Sequence, residues 1–226
     1  MAAQMYDSCE ELLGAMVGFN TVNANISGVP DAELALSQFL ESQAQTLGFA
    51  TQRLPVSGEG FNLLVRHHVA EGTPWLLFES HLDTVSVEGM TIDPFGARIE
   101  GGRMYGRGAC DTKGSGAAML WALKRYATES DRPNNVAIVY TLDEEIAKTG
   151  VRTFVKQHLP ALGWSPAGVI VGEPTVLHST GAQAYEQVFI ASTSSGLGDG
   201  FCHPRLGGDC LGLLPPLRLV GRVWSE

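Results

Sequence analysis

The sequence predicts an α/β fold, a mixed and largely parallel sheet flanked by helices, and three observations carry that expectation. The runs "PWLLFES" (74–80), "NVAIVYTL" (135–142) and "AGVIVGE" (167–173) are apolar almost throughout. Such runs suit strands covered on both faces rather than on one. Between them lie segments with helical spacing, "GSGAAMLWALKRYA" (114–127) and "VRTFVKQHL" (151–159). Strands that alternate with helices call for crossover connections and a layered sheet.

The elements follow in order. Residues 7–17 form a short amphipathic helix with Leu12, Leu13 and Met16 on one side and Asp7 or Ser8 as its cap. A second helix opens at Pro30 and Asp31, places Leu36, Leu40, Ala44 and Leu47 on one face, and closes at Gly48. Strand-like runs come next, "FATQRLPV" (49–56) and "FNLLVRHH" (61–68). "ARIEGGRMYGRG" (97–108) is extended and punctuated by glycine turns.

Composition removes several function classes. With 226 residues, 44% hydrophobic and 17% charged, the chain is globular and rich enough in apolar residues for a substantial core. Its net charge of -9 argues against a nucleic-acid partner, which would need lysine and arginine on its phosphates. The N-terminal stretch carries no basic segment leading into an apolar one, and no apolar run is long enough to span a membrane, so a cytoplasmic location is expected. Cys9, Cys110, Cys202 and Cys210 are scattered and form no C-x-x-C, which points to neither a disulfide scaffold nor a cysteine-based zinc site. Cys110 has no basic partner placed for it in the sequence and is expected to be a buried structural thiol.

The chemistry concentrates at strand ends. "WLLFESHLD" ends in His81 and Asp83, "IVYTLDEE" in Glu144 and Glu145, and "VIVGEPT" in Glu173. A further segment, "YGRGACDTKGSG", sets Asp111 among glycines just ahead of a helix. Ligands of open α/β sheets bind beyond the carboxyl ends of the strands, so three such tips can converge. One histidine with several carboxylates suits Zn²⁺ or a similar divalent ion. The carboxylates outnumber the needs of one tetrahedral site, and a two-metal site with a bridging carboxylate accommodates them. One of the adjacent glutamates could then bind metal while its neighbour acts as general base. Each motif alone has a blander reading: a structural His-x-Asp pair, a solvated acidic loop, plain turn glycines. "GRGACDTKGS" fits neither phosphate-loop pattern.

Taken together, "SHLDTVSVEGMTIDPFGARIEGGRMYGRGACDTKGSGAAM", "TLDEEIAKTG" and "VGEPT" resemble the di-zinc amidohydrolase and peptidase family of acetylornithine deacetylase, succinyl-diaminopimelate desuccinylase, aminoacylase and carboxypeptidase G. The resemblance covers residues 7–178, and "GFNTVNANISGVPDAE" is similar to the start of acetylornithine deacetylase-like members. It implies a zinc-exopeptidase-like catalytic domain that binds two divalent ions, zinc first, with cobalt or manganese as alternatives. Carried over, it makes His81 and Glu173 ligands of one ion, Glu145 a ligand of the second and Asp111 the bridge. Asp83 orients His81, Glu144 is the general base, and the peptide after Asp111 is cis. The implied reaction is hydrolysis of the amide bond of an N-acyl amino acid, with a di-zinc aminopeptidase or dipeptidase as the alternative.

The resemblance stops near residue 180. The expected organisation is therefore residues 1–180 as the N-terminal part of a metal-dependent catalytic domain, and residues 181–226 as an atypical, weakly structured tail. The family's lid and dimerisation domain, and the later histidine that completes its second metal site, have no counterpart here, and His203 does not fit that role. The expectation is a truncated or frame-shifted product, catalytically impaired, or else a non-catalytic metal-binding or interaction protein. The family's homodimer would lack its dimerisation domain.

Overall fold

The computed structural model describes residues 5–175, together with the backbone of two short strands at Tyr185–Glu186 and Phe189–Ala191. The expected boundary near residue 180 and the side chains of the 181–226 tail lie outside the described residues.

In chain order the helices are α1 (Cys9–Val17), α2 (Ala24–Ser27), α3 (Leu34–Thr46), α4 (Lys113–Tyr126), α5 (Thr149–Thr153) and α6 (Leu159–Leu162). The strands are β1 (Ala50–Ser57), β2 (Gly60–His67), β3 (Trp75–His81), β4 (Arg98–Glu100), β5 (Arg103–Tyr105), β6 (Asn135–Thr141), β7 (Gly168–Val171), β8 (Pro174–Thr175), β9 (Tyr185–Glu186) and β10 (Phe189–Ala191). Ser8 caps α1, its side chain accepting the Glu11 amide proton at 3.1 Å. The second long helix begins at Leu34 rather than at Pro30, because Asp31 adopts a left-handed backbone (φ 49°) that ends one turn before the next begins. The segment 151–159 is helical as expected, but its centre, Phe154–His158, is a π-helical turn between α5 and α6.

The main sheet has the order β1-β2-β6-β3-β7-β10. Its three central strands, β6, β3 and β7, run parallel, and the outer pairings are antiparallel. Every residue of β6 is buried, which explains why its sequence is apolar without alternation. Its side chains divide between two cores. Ile138 and Tyr140 join Leu63, Val65, Met16, Leu36, Leu40 and Leu120 under α1, α3 and α4. Ala137 and Val139 join Leu64, Leu77 and Phe154 under the α5–α6 segment. Helices thus cover both faces. Parallelism of β6, β3 and β7 brings their carboxyl ends to one edge, with His81 beside Thr141 and Glu79 beside Val171.

Candidate metal centre

The site lies at that edge. His81, the last residue of β3, is 1% exposed, and burial holds its ring still. Its Nδ1 faces the Asp83 carbonyl oxygen at 3.0 Å, with the Asp83 carboxylate 3.4 Å away. Both partners only accept, so Nδ1 carries a proton, and Nε2 is the ring nitrogen turned toward the acidic cluster, where a cation would displace its proton. Nε2 looks at Asp111 Oδ1 at 3.1 Å and at Glu173 Oε1 at 3.6 Å. Asp111 stands in the turn before α4, and its peptide to Thr112 is cis. The Thr112 hydroxyl donates to the His81 carbonyl at 3.0 Å and lies 2.9 Å from the Ser80 hydroxyl, which ties this turn to the end of β3. Gly116 lets α4 come this close, since a Cβ there would stand 3.0 Å from Ser80 Oγ and 3.1 Å from Tyr140 Cε1.

The acidic turn after β6 closes the site. Donor atoms of His81, Asp111 and Glu145 lie within 4.8 Å of one another, as do those of His81, Glu144 and Glu173. All the residues singled out in the sequence for this site therefore meet at one place. The grouping puts Glu144, as well as Glu145, at ligand distance from His81, so geometry alone does not divide the two glutamates into ligand and base. Asp83 is fully buried and accepts the backbone N–H groups of Glu144 at 2.8 Å and Glu145 at 3.0 Å. Glu144 also pairs with Lys148 four residues on.

Electrostatics fit a divalent cation. Among the described residues, the ion pairs of these carboxylates are with His81, apart from Lys148 on Glu144. Burial first, and then the charges of Asp111, Glu144 and Glu79, push the Glu173 carboxyl up to about 7 against the pull of His81. Burial and the neighbouring Asp111 raise Glu145 as well. Burial opposes a charge on His81, but Asp111, Asp83 and Glu173 outweigh it and hold its pKa well above the ordinary value. Asp83 is held low despite its burial, by His81, Asn23 and the Glu144 amide. With no cation among them, crowded carboxylates of this kind take up protons to relieve their repulsion, and a divalent ion relieves the same repulsion. One histidine nitrogen with several carboxylate oxygens is a donor set such an ion accepts.

Sequence reasoning missed several participants. Asn23, Glu33 and Glu79 are buried behind the candidate ligands, and Glu79 accepts the Thr141 hydroxyl at 2.5 Å. Lys113, 1% exposed, donates to the Phe19 carbonyl at 2.8 Å, and burial brings its pKa down to about 7. Nothing in the local pattern around Asn23 or Glu33 separates them from surface polar residues. Cys110 corrects an expectation: it is exposed, because the turn that presents Asp111 also turns its neighbour outward.

Fold and site together define an α/β domain with a candidate divalent-cation centre at the carboxyl edge of its sheet, and the comparisons narrow it. The sequence model of peptidase family M20/M25/M40 matches residues 77–192, and the chain belongs to that family. It is 33% identical over 174 residues to succinyl-diaminopimelate desuccinylase of Wolinella succinogenes, covering 76% of this chain and 43% of that protein. To acetylornithine deacetylase of Pasteurella multocida it is 32% identical over 173 residues, covering 74% and 43%. The chain thus spans less than half the length of these curated relatives. In structure it is similar to the M20 family metallo-carboxypeptidase Sso-CP2 from Sulfolobus solfataricus, with a TM-score of 0.64 at 22% identity over 75% of this chain and 40% of that one. Human carnosine dipeptidase 1 follows with a TM-score of 0.62 at 20% identity, covering 73% and 38%. Among the described residues, no helix is long and apolar enough to cross a membrane.

Proposed function

We propose that this chain carries the metal-binding half of a two-metal hydrolase that cleaves the amide bond of N-acyl amino acids. The observation that carries the reading is the meeting of His81, Asp111, Glu144, Glu145 and Glu173 at the carboxyl edge of three parallel strands. Membership of the M20 family, with a desuccinylase and a deacetylase among its relatives, supports the reaction class. His81 and Glu173 would hold one ion, Glu145 the other, and Asp111 both. Divalent ions bound there supply Lewis acidity toward the substrate carbonyl and acidify water.

The chain's own residues do the rest. Glu144 accepts the proton of the attacking water and returns it to the departing amine nitrogen, which contributes ~10²–10⁴-fold. Asp83 keeps the His81 tautomer fixed and holds the backbone from which both glutamates project. The buried hydroxyls of Thr112 and Ser80 keep the Asp111 turn against β3.

The test uses the 226-residue chain, stripped of metal and titrated with Zn²⁺ or Co²⁺, then offered N-acetyl and N-succinyl amino acids beside unblocked dipeptides. Saturable binding with hydrolysis of the acylated substrates, abolished by Glu144→Gln with metal content kept, is the expected result. Hydrolysis of dipeptides alone would move the assignment to a dipeptidase. Binding without any turnover would favour the non-catalytic reading, and no binding would overturn the metal centre itself.

A further inference from the structure

Asn23 stands behind the metal centre with both of its side-chain donors and its side-chain oxygen engaged. It is 1% exposed. Its Nδ2 donates one proton to Asp83 Oδ2 at 2.7 Å and the other to Asp143 Oδ1 at 2.8 Å. Its Oδ1 accepts the Asn25 amide at 2.9 Å, and its own backbone N–H donates to the Thr84 carbonyl at 2.9 Å. The amide orientation is dictated by chemistry. Two carboxylates can only accept from it, and one backbone N–H can only donate to it.

The consequence runs through Asp83. That carboxylate receives the amides of Glu144 and Glu145, so its position sets where both glutamate side chains leave the backbone. Without Asn23, the Asp83 and Asp143 carboxylates would face each other across its place and repel. With Asn23 between them, the repulsion becomes two charge-assisted hydrogen bonds. The short Val22–Thr84 parallel bridge, with Thr84 N–H donating to the Thr21 carbonyl at 3.0 Å, fixes the Asn23 backbone against the segment that follows Asp83.

We infer that Asn23 is a positioning residue for the metal centre: it fixes Asp83, and through Asp83 the backbone amides of Glu144 and Glu145. Its effect on metal rests on the proposed metal centre, whereas its effect on the two amides does not.

The experiment compares the full wild-type chain with Asn23→Leu, which keeps the branched shape and loses both donors, and Asn23→Asp, which adds a third carboxylate. Asn23→Ser is the milder substitute where either fails to fold. Hydrogen exchange is read first, without metal. The Glu144 and Glu145 amides should exchange at least ~10-fold faster in the variants, while Ile138 and Val139 in β6 keep their protection. Co²⁺ titration is read next. Affinity should fall ~10–100-fold, with a changed visible spectrum at saturation. A residue with a merely structural role would lower the melting temperature and leave the spectrum of the folded chain as it was. Unchanged exchange at Glu144 and Glu145, or loss of protection spread equally over β6, would overturn the clamp. Wild-type affinity and spectrum in the variants would overturn its effect on metal. Failure of the wild-type chain to bind Co²⁺ would overturn the metal centre, and the role of Asn23 toward it, while the exchange result still decides the clamp.

Discussion

Replacing Glu33 by Gln should stabilise the metal-free protein at alkaline pH and leave it nearly unchanged in acid. Glu33 is 5% exposed, just ahead of α3, and its Oε1 accepts the Asp143 amide at 3.3 Å. Burial, and then the charges of Asp83 and Asp143, push its carboxyl from 4.5 up to about 7. The folded value lies above the unfolded one, so the native state holds the proton more tightly. Stability from this group is therefore full below about pH 4.5 and declines as pH rises toward 7. At about 1.4 kcal/mol for each pH unit between the two values, the loss by pH 8 is roughly 3 kcal/mol. Glutamine is neutral throughout and keeps an oxygen for the Asp143 amide, so it escapes that loss. Urea unfolding of both chains in chelator, at pH 4.5 and at pH 8, gives the comparison. The Gln variant should gain about 2–3 kcal/mol over wild type at pH 8 and almost nothing at pH 4.5. A difference that does not depend on pH, or a Gln variant less stable at pH 8, would refute a buried carboxyl ionising against its surroundings.

Three further outcomes are expected. Glu144→Gln should lower kcat on N-acyl substrates by ~10²-fold or more and leave Co²⁺ stoichiometry intact; loss of metal in step with activity would make Glu144 a ligand instead. Because Glu173 sits near 7 and His81 well above its ordinary value, an incoming ion must displace their protons. Co²⁺ affinity measured by titration should then rise steeply from pH 6 to pH 8, and a flat profile would exclude these ligands. Gly150→Ala would place a Cβ 2.4 Å from the Leu142 nitrogen and 2.5 Å from its carbonyl oxygen. Thermal unfolding should show a loss of ~2 kcal/mol or more, since backbone atoms rather than a flexible side chain must move.

What could be seen in the sequence was set by the range of the physics involved. Strands covered on both faces announce themselves by composition, and β3, β6 and β7 stood out for that reason. Their shared direction followed from the helices between them, and with it the convergence of His81, Glu144, Glu145 and Glu173 at one edge. The start of α3 was misplaced because Pro30 and Asp31 look like helix openers, while the left-handed backbone at Asp31 depends on tertiary context. Asn23, Glu33 and Glu79 were invisible for a related reason. Asn23 and Glu33 act through contacts with residues 60 to 120 positions away, and no local pattern encodes such partners.

The three consecutive acids after β6 look alike in the sequence and part company in the fold. Asp143 has a left-handed backbone, φ 57°, and this turns the chain as it leaves the sheet. Its own carboxylate points back into the protein, where it accepts from Asn23 at 2.8 Å and from the Thr149 hydroxyl at 2.5 Å. Glu144 and Glu145 come after the turn, with their amides on Asp83 and their carboxylates toward His81. Identical charge is thus divided between two environments by one backbone angle. Asp143 is satisfied by neutral donors and has no need of a cation, whereas the carboxylates beside His81 have mainly each other for neighbours. The repulsion that makes three adjacent acids look unfavourable is relieved on one side by Asn23 and Thr149. On the other side it is left standing, and it is there that a divalent ion would be drawn in.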